Sequence, residues 1–253
     1  MTRQVLYTCA VSHCSALHSS GADAEHMEIN VRHRPAYSLA YVLLDSSERV
    51  FVERSAMAAM SGGVSVRAST GGSSLVKAVS RHTFGGESFV FSCFEAELTG
   101  AWVALAPTLP GDIDVLRLDG GQGLLIQTGS LLAYSEGVDV SMRYGGVRGM
   151  LIQEGVAFLH ATGEGDVVIS SYGAIEQLQL GDDEQLIVDS GHLVAFSAGV
   201  RFEVGPLGSI ATAALTGEGL VARFTGPGTV IIQTRAEQQL RDWLLPDRGQ
   251  NKS

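Results

Sequence analysis

One stretch of this chain is written three times. Met57-Ala58-Ala59-Met60-Ser61-Gly62-Gly63-Val64, Leu131-Leu132-Ala133-Tyr134-Ser135-Glu136-Gly137-Val138 and Leu193-Val194-Ala195-Phe196-Ser197-Ala198-Gly199-Val200 share Ala, Ser, Gly and Val in register. Met, Tyr or Phe stands directly before the Ser in each copy, and the copies start 74 and 62 residues apart. Recurrence at that spacing marks a repeated supersecondary unit, one too small to bury its apolar face alone. The fold expected is all-β: three pseudo-repeated antiparallel β-sandwich units around a pseudo-threefold axis.

The flanking segments fit short strands punctuated by turns. The first unit, about residues 35–107, reads as strands over 36–44, 50–53, 57–60, 64–68, 89–94 and 101–105. The second, about 110–171, reads as strands over 113–118, 124–127, 138–143, 156–160 and 167–170 around its copy of the recurring stretch. The third, about 173–235, reads as strands over 175–180, 186–189, 201–204, 220–224 and 230–234 around its own copy. The recurring stretch itself is expected to be a hairpin, with Gly63, Gly137 and Gly199 at positive φ in the same structural turn. With 31 Gly and only 6 Pro in 253 residues, the composition suits many tight turns.

Beyond this body, 27–235, lie two short segments. Residues 1–26 are rich in Ser, His, Cys and Ala, without periodicity, and are expected to be a disordered leader rather than a signal or transit peptide. Residues 236–253 are expected to form a short C-terminal helix and a polar tail. Leu240, Trp243 and Leu244 share one face of that helix, Pro246 ends it, and its expected role is to cap a sheet edge or contact another subunit.

Charge bounds the partners. The formal net charge is −10, and Lys occurs only at 77 and 252. A phosphate-neutralising stripe is absent, so no nucleic acid is expected as a partner. No apolar run reaches the roughly 18–20 residues of a membrane-spanning helix, so no transmembrane segment is expected. Three Cys make no disulfide framework, and a cytoplasmic, reducing location is the expectation.

The residues with chemical potential are few. Glu87, Glu154 and Glu218 each precede an apolar strand at matching places; converging on an axis, they would bind a cation or exchange protons. The alternative is that each caps a turn by accepting backbone N–H groups. Cys93, His160 and Phe224 stand six residues past these glutamates. Cys93 reads as a buried, inert thiol, and His82, His160 and His192 as structural histidines too scattered for a metal site. Cys9, His13, Cys14 and His18 match no zinc spacing. Gly163-x-Gly165 and Gly226-x-Gly228 open no helix, lack the physics of a phosphate loop, and read as turns. No catalytic residue, metal or cofactor is assigned.

Phe84-Gly85-Gly86-Glu87-Ser88-Phe89, Thr216-Gly217-Glu218-Gly219-Leu220, Arg223-Phe224-Thr225-Gly226-Pro227-Gly228-Thr229-Val230 and Gln233-Thr234-Arg235 resemble the hallmark segments of a family of unknown function. Its members have a TRAP-like (tryptophan RNA-binding attenuator protein-like) β-sandwich fold, and it is related to the altered-inheritance-of-mitochondria proteins, a mitochondrial biogenesis family. The resemblance implies repeated β-sandwiches, a homo-oligomer such as a trimer, and no agreed catalytic residues. For a eukaryotic source it implies a mitochondrial location. The functional expectation is a non-catalytic β-scaffold that self-associates and binds a protein partner. The alternative is a small-ligand- or cation-binding protein, or an enzyme, with its site between repeats. RNA binding is a third reading, which the acidic balance opposes.

Overall fold

The computed structural model describes residues 27–68, 91–143, 158–207 and 220–245. Most of it is antiparallel β-structure, with one short α-helix at the C-terminal end. The strands are β1 (Glu28–Arg32), β2 (Leu39–Leu44), β3 (Arg49–Glu53), β4 (Met57–Met60), β5 (Val64–Ala68), β6 (Phe91–Ala96), β7 (Ala101–Leu105), β8 (Ile113–Asp119) and β9 (Leu124–Gln127). They continue with β10 (Leu131–Ser135), β11 (Val138–Arg143), β12 (Phe158–Ser170), β13 (Ile175–Leu180), β14 (Gln185–Asp189), β15 (Leu193–Ser197), β16 (Arg201–Pro206), β17 (Leu220–Thr225) and β18 (Gly228–Gln233). The helix, α1, is Glu237–Leu244. No helix among the described residues is long and apolar enough to cross a membrane.

Pairing is nested rather than sequential. In 35–107, the outer strands β2 and β7 pair, β7 also takes β4, and β6 takes β3 and β5. In 173–235, β13 pairs with β18, β18 also with β15, and β17 with β14 and β16. In 110–171, β12 alone fills both central places: its second half pairs with β8 and β10, its first half with β9 and β11. The Gly163-Glu164-Gly165 segment, expected as a turn, therefore lies inside one strand. Gly163 and Gly165 hold φ of +99° and +145°, which lets the strand change sheets without ending. Gly226-Pro227 does separate two strands, β17 and β18.

The recurring stretch is not a hairpin. β4 and β5 pair with different partners in different sheets, as do β15 and β16, while β10 and β11 both pair with β12 but on its opposite halves. Each turn carries the chain across the sandwich, and the recurring residues have distinct duties there. Ser61, Ser135 and Ser197 each accept a backbone N–H through Oγ, from Trp102 at 2.9 Å, Asp166 at 2.9 Å and Thr229 at 3.2 Å. The residue two before the aromatic or Met (Ala58, Leu132, Val194 in turn) sits in a register shift, so each strand bulges at the same place.

The glycines differ from expectation. Only Gly63 is left-handed, at φ +82°. Gly137 is required by close approach: a Cβ there would run into the Glu164 carbonyl oxygen of β12. At Gly199 a Cβ would meet the Gln122 side chain, which can move. Tertiary contact, not backbone conformation, makes glycine necessary at Gly137, and neither reason requires it at Gly199.

Three apolar clusters fill the interior, and each joins neighbouring segments. The first combines Val42, Val50, Val52 and Val103 with Leu132 and Val168. The second combines Ile126, Leu159 and Val167 with Val194 and Ile231. The third holds Val188, Phe196, Phe224 and Val230, with Phe158 from the preceding segment and half-buried Phe202. Helix α1 buries no residue, and Trp243 is 76% exposed, so it caps no sheet edge.

Gly137→Ala is expected to cost about 1–3 kcal/mol, because a backbone carbonyl cannot yield as a side chain can. Gly62→Ala, with open space at its Cβ, is expected to stay within about 0.5 kcal/mol. Urea unfolding of the two variants measures both.

Candidate functional site

Two features are built from more than one segment: the joints where strands of successive segments pair, and a surface cleft beside one of them. At the first joint β10 pairs with β3, with Ala133 opposite Val52, Tyr134 opposite Phe51 and Ser135 opposite Val50. At the second β15 pairs with β9, with Ala195 opposite Ile126, Phe196 opposite Leu125 and Ser197 opposite Leu124. The two registers are the same when the recurring stretches are aligned. Tyr134 stacks on Phe51 with centroids 5.0 Å apart and meets Phe91 edge-on at 5.1 Å. Burial pushes the Tyr134 phenol up to about 12, so it is a packing group with no acid–base use near neutral pH.

β4 and β14 hold the corresponding places in their segments, and neither has a second strand among the described residues. All four residues of β4 are exposed, including Met57 and Met60, and Ile187 of β14 is 55% exposed. By contrast all five residues of β10 and four of five in β15 are buried. The difference tracks the presence of a partner strand.

The cleft, about 500 Å³, opens beside the second joint. Arg117 and Asp119 of β8, Gln122, Gln177 of β13, Ser197 and Thr229 line it. Gln177 reaches back to donate to Asp114 at 2.7 Å, tying the two walls together. Its volume falls within the range of small-molecule sites, although its polar groups carry opposite charges rather than a single recognisable motif.

Glu87, Glu154 and Glu218 lie outside the described residues, as do His82, Cys9, His13, Cys14 and His18. The strands that follow the glutamates do bear on their equivalence. Cys93 lies opposite Phe51, His160 opposite Leu125 and Arg223 opposite Ile187. Arg223, not Phe224, is thus the counterpart of Cys93 and His160. In the sequence, six residues before Arg223 stands Gly217 rather than Glu218. This register was invisible in the sequence because the strand partner, not the strand, defines it.

The other singled-out groups have structural surroundings. Cys93 is buried, and desolvation pushes its thiol up, which disfavours the reactive thiolate. His160 Nε2 donates to the Gln122 carbonyl at 3.1 Å, and His192 Nδ1 to the Gln233 carbonyl at 2.8 Å. Among the described residues, no group of three or more His, Cys, Asp or Glu could hold a metal ion.

Sequence reasoning missed Asp112 and Asp166. Asp112 is buried and accepts from Arg34 Nε and Nη2, both at 2.9 Å, from Ser38 Oγ at 2.8 Å and from the Ile113 N–H. Burial alone would raise its carboxyl; the hydrogen bonds from Arg34, Ser38 and Ile113 outweigh that and hold it below the ordinary range. Asp166 accepts the Met27 N–H at 3.0 Å, and burial raises its carboxyl. Both aspartates join distant parts of the chain, and neither faces the cleft. Only a pairing map could reveal them, since neither belongs to a local motif.

A model of the family described as mitochondrial biogenesis AIM24 matches residues 29–235. An uncharacterised protein of Streptococcus pyogenes serotype M6 is 25% identical over 225 residues, which span 86% of this chain and 90% of that one. An X-ray crystal structure of another Streptococcus pyogenes protein, 24% identical, superposes with a TM-score of 0.72 and covers 87% of this chain and 98% of its own. That structural likeness speaks to the fold.

A carboxyl held low in the folded state contributes stability above its unfolded pKa of about 3.9 and loses it as pH falls through the lower folded value. Asp112→Asn is therefore expected to lose about 1–3 kcal/mol at pH 7 by leaving its buried partners imperfectly paired. The gap to the parent should narrow below pH 4. Urea unfolding at pH 7 and pH 3 checks both the sign and the narrowing.

Proposed function

The chain belongs to the mitochondrial biogenesis AIM24 family, and from that premise we propose that it is a non-catalytic β-scaffold that self-associates and binds other proteins. The observation that carries this reading is the exposed strand β4. An unpaired strand edge is a template for another chain, and proteins ordinarily protect it with charged residues. Edge strands β1, β5, β8, β11, β13, β14 and β16 each carry at least one charged residue, whereas β4, Met57-Ala58-Ala59-Met60, carries none.

The three-unit reading of the chain belongs to this proposal, as do the TRAP-like comparison and assembly as a homo-oligomer such as a trimer. Its support is that 35–107, 110–171 and 173–235 pair their strands by one scheme, with a bulge at one equivalent place. A second reading, a small-ligand site between units, is favoured by the cleft that Arg117 and Gln177 line from opposite sides.

The scaffold reading expects light scattering of the full chain at micromolar concentration to give a multiple of its 26.7 kDa mass. It also expects no thermal shift across divalent cations and small polar metabolites. A monomeric mass at every concentration would remove self-association. A shift with one compound that Arg117→Ala abolishes would put the ligand reading in its place.

A further inference from the structure

We propose that β14 of a second copy of this chain pairs antiparallel with β4, with Ala59 opposite Val188, Met60 opposite Ile187 and Ser61 opposite Leu186. This rests on the self-association reading and supplies its interface.

The register follows from the two joints already made inside the chain. Ala59 stands where Ala133 and Ala195 do, one residue past the shared bulge and opposite Ala104, Val168 and Ile231 respectively. Val188 stands where Val52 and Ile126 do, opposite Ala222, Ser92 and Leu159 on the central strand. Val52 meets Ala133 and Ile126 meets Ala195, so the third pair in the same geometry is Val188 with Ala59. One step along, Tyr134–Phe51 and Phe196–Leu125 become Met60–Ile187.

The exposure of these residues agrees. Tyr134 and Phe196 are 3% and 0% exposed within their joints, whereas Met60 and Ile187 are 39% and 55% exposed. The pair predicted to meet consists of two large apolar side chains left in solvent. The cores agree as well. The first cluster includes Leu132 and Val168 from the next segment, and the second includes Val194 and Ile231 from the next. The corresponding residues, Ala58 and Ala104, are absent from the third cluster.

The occupant is a second copy because β4 and β14 of one chain do not pair with each other. A patch on one end that fits a patch on the other makes a head-to-tail contact. Two copies can close it twice, each giving β4 to the other's β14; more copies can close it as a ring.

The test measures the mass of four full-length chains by light scattering: the parent, Met60→Lys, Ile187→Glu and Val66→Lys. Val66 is an exposed position on β5, outside the proposed pair. Met60→Lys and Ile187→Glu are each expected to lower the mass to the monomer, weakening association at least tenfold, with unchanged thermal midpoints. Val66→Lys should keep the parent's mass. Mixing Met60→Lys with Ile187→Glu places Lys opposite Glu and should restore a multimer. If Met60→Lys fails to fold, Ile187→Glu alone gives the same reading. A parent that is multimeric but indifferent to both substitutions overturns this interface and leaves self-association standing. A parent that is monomeric at all concentrations, with β4 and β14 closing on each other or unpaired, overturns both.

Discussion

The body depends on one interaction made twice: the third strand of a segment leaves its own pairing partner on one side and takes the second strand of the preceding segment on the other. Where that happens, at β10 and β15, Leu131, Leu132, Tyr134, Leu193, Val194 and Phe196 are fully or almost fully buried. Burying such a side chain contributes about 1.5–3 kcal/mol before the entropy of ordering is counted, as an upper bound. At β4, in the same position of the fold, the pairing is absent and every residue is exposed. Local sequence therefore determines that a strand forms, while the second partner determines whether it belongs to a core.

That division explains what was legible in the sequence. The strands themselves were readable, because alternating apolar residues between glycine-rich turns carry their own signal. The pairing was not. The Ser-x-Gly turn between two apolar runs looks like a hairpin whether its strands hydrogen-bond to each other or cross a sandwich, and only β7, β12 and β18 decide which. Glycine was similarly ambiguous. Gly63 follows the rule for left-handed turns, but Gly137 is fixed by a carbonyl 27 positions away in sequence. The recurring Ser was visible as a pattern, and its duty, accepting a backbone N–H from the last strand of its segment, was not.

The candidate site was legible in outline only. The acidic balance and the lack of a catalytic constellation turned attention to surfaces, and the glutamates chosen for their repetition lie outside the described residues. Repetition within a chain duplicates packing duties as readily as chemical ones. Asp112 illustrates the converse: it occurs once, belongs to no motif, and carries the most elaborate side-chain network among the described residues, joining Arg34 and Ser38 to the start of the second segment. An ion pair with one buried member, as here where Asp112 is buried and Arg34 half-exposed, fixes which segments meet more than it adds net stability.

The composition of β4 fits an edge that serves two states. A strand as apolar as β10 or β15, left open in a free chain, would be an aggregation site. Ala58 replaces Leu132 and Val194, which shrinks the exposed apolar surface, and Met60 replaces an aromatic with a flexible side chain that packs adaptably. Neither change introduces the charge that would forbid pairing. Across the joint, β14 keeps its charge at Asp189, whose side chain is already committed to the Gly191 N–H at 2.8 Å, one residue beyond the proposed pairs. The edge is thus weakened without being blocked. Weakening of that kind suits a reversible contact between folded copies, and it is the arrangement to be expected if assembly is part of what the chain does.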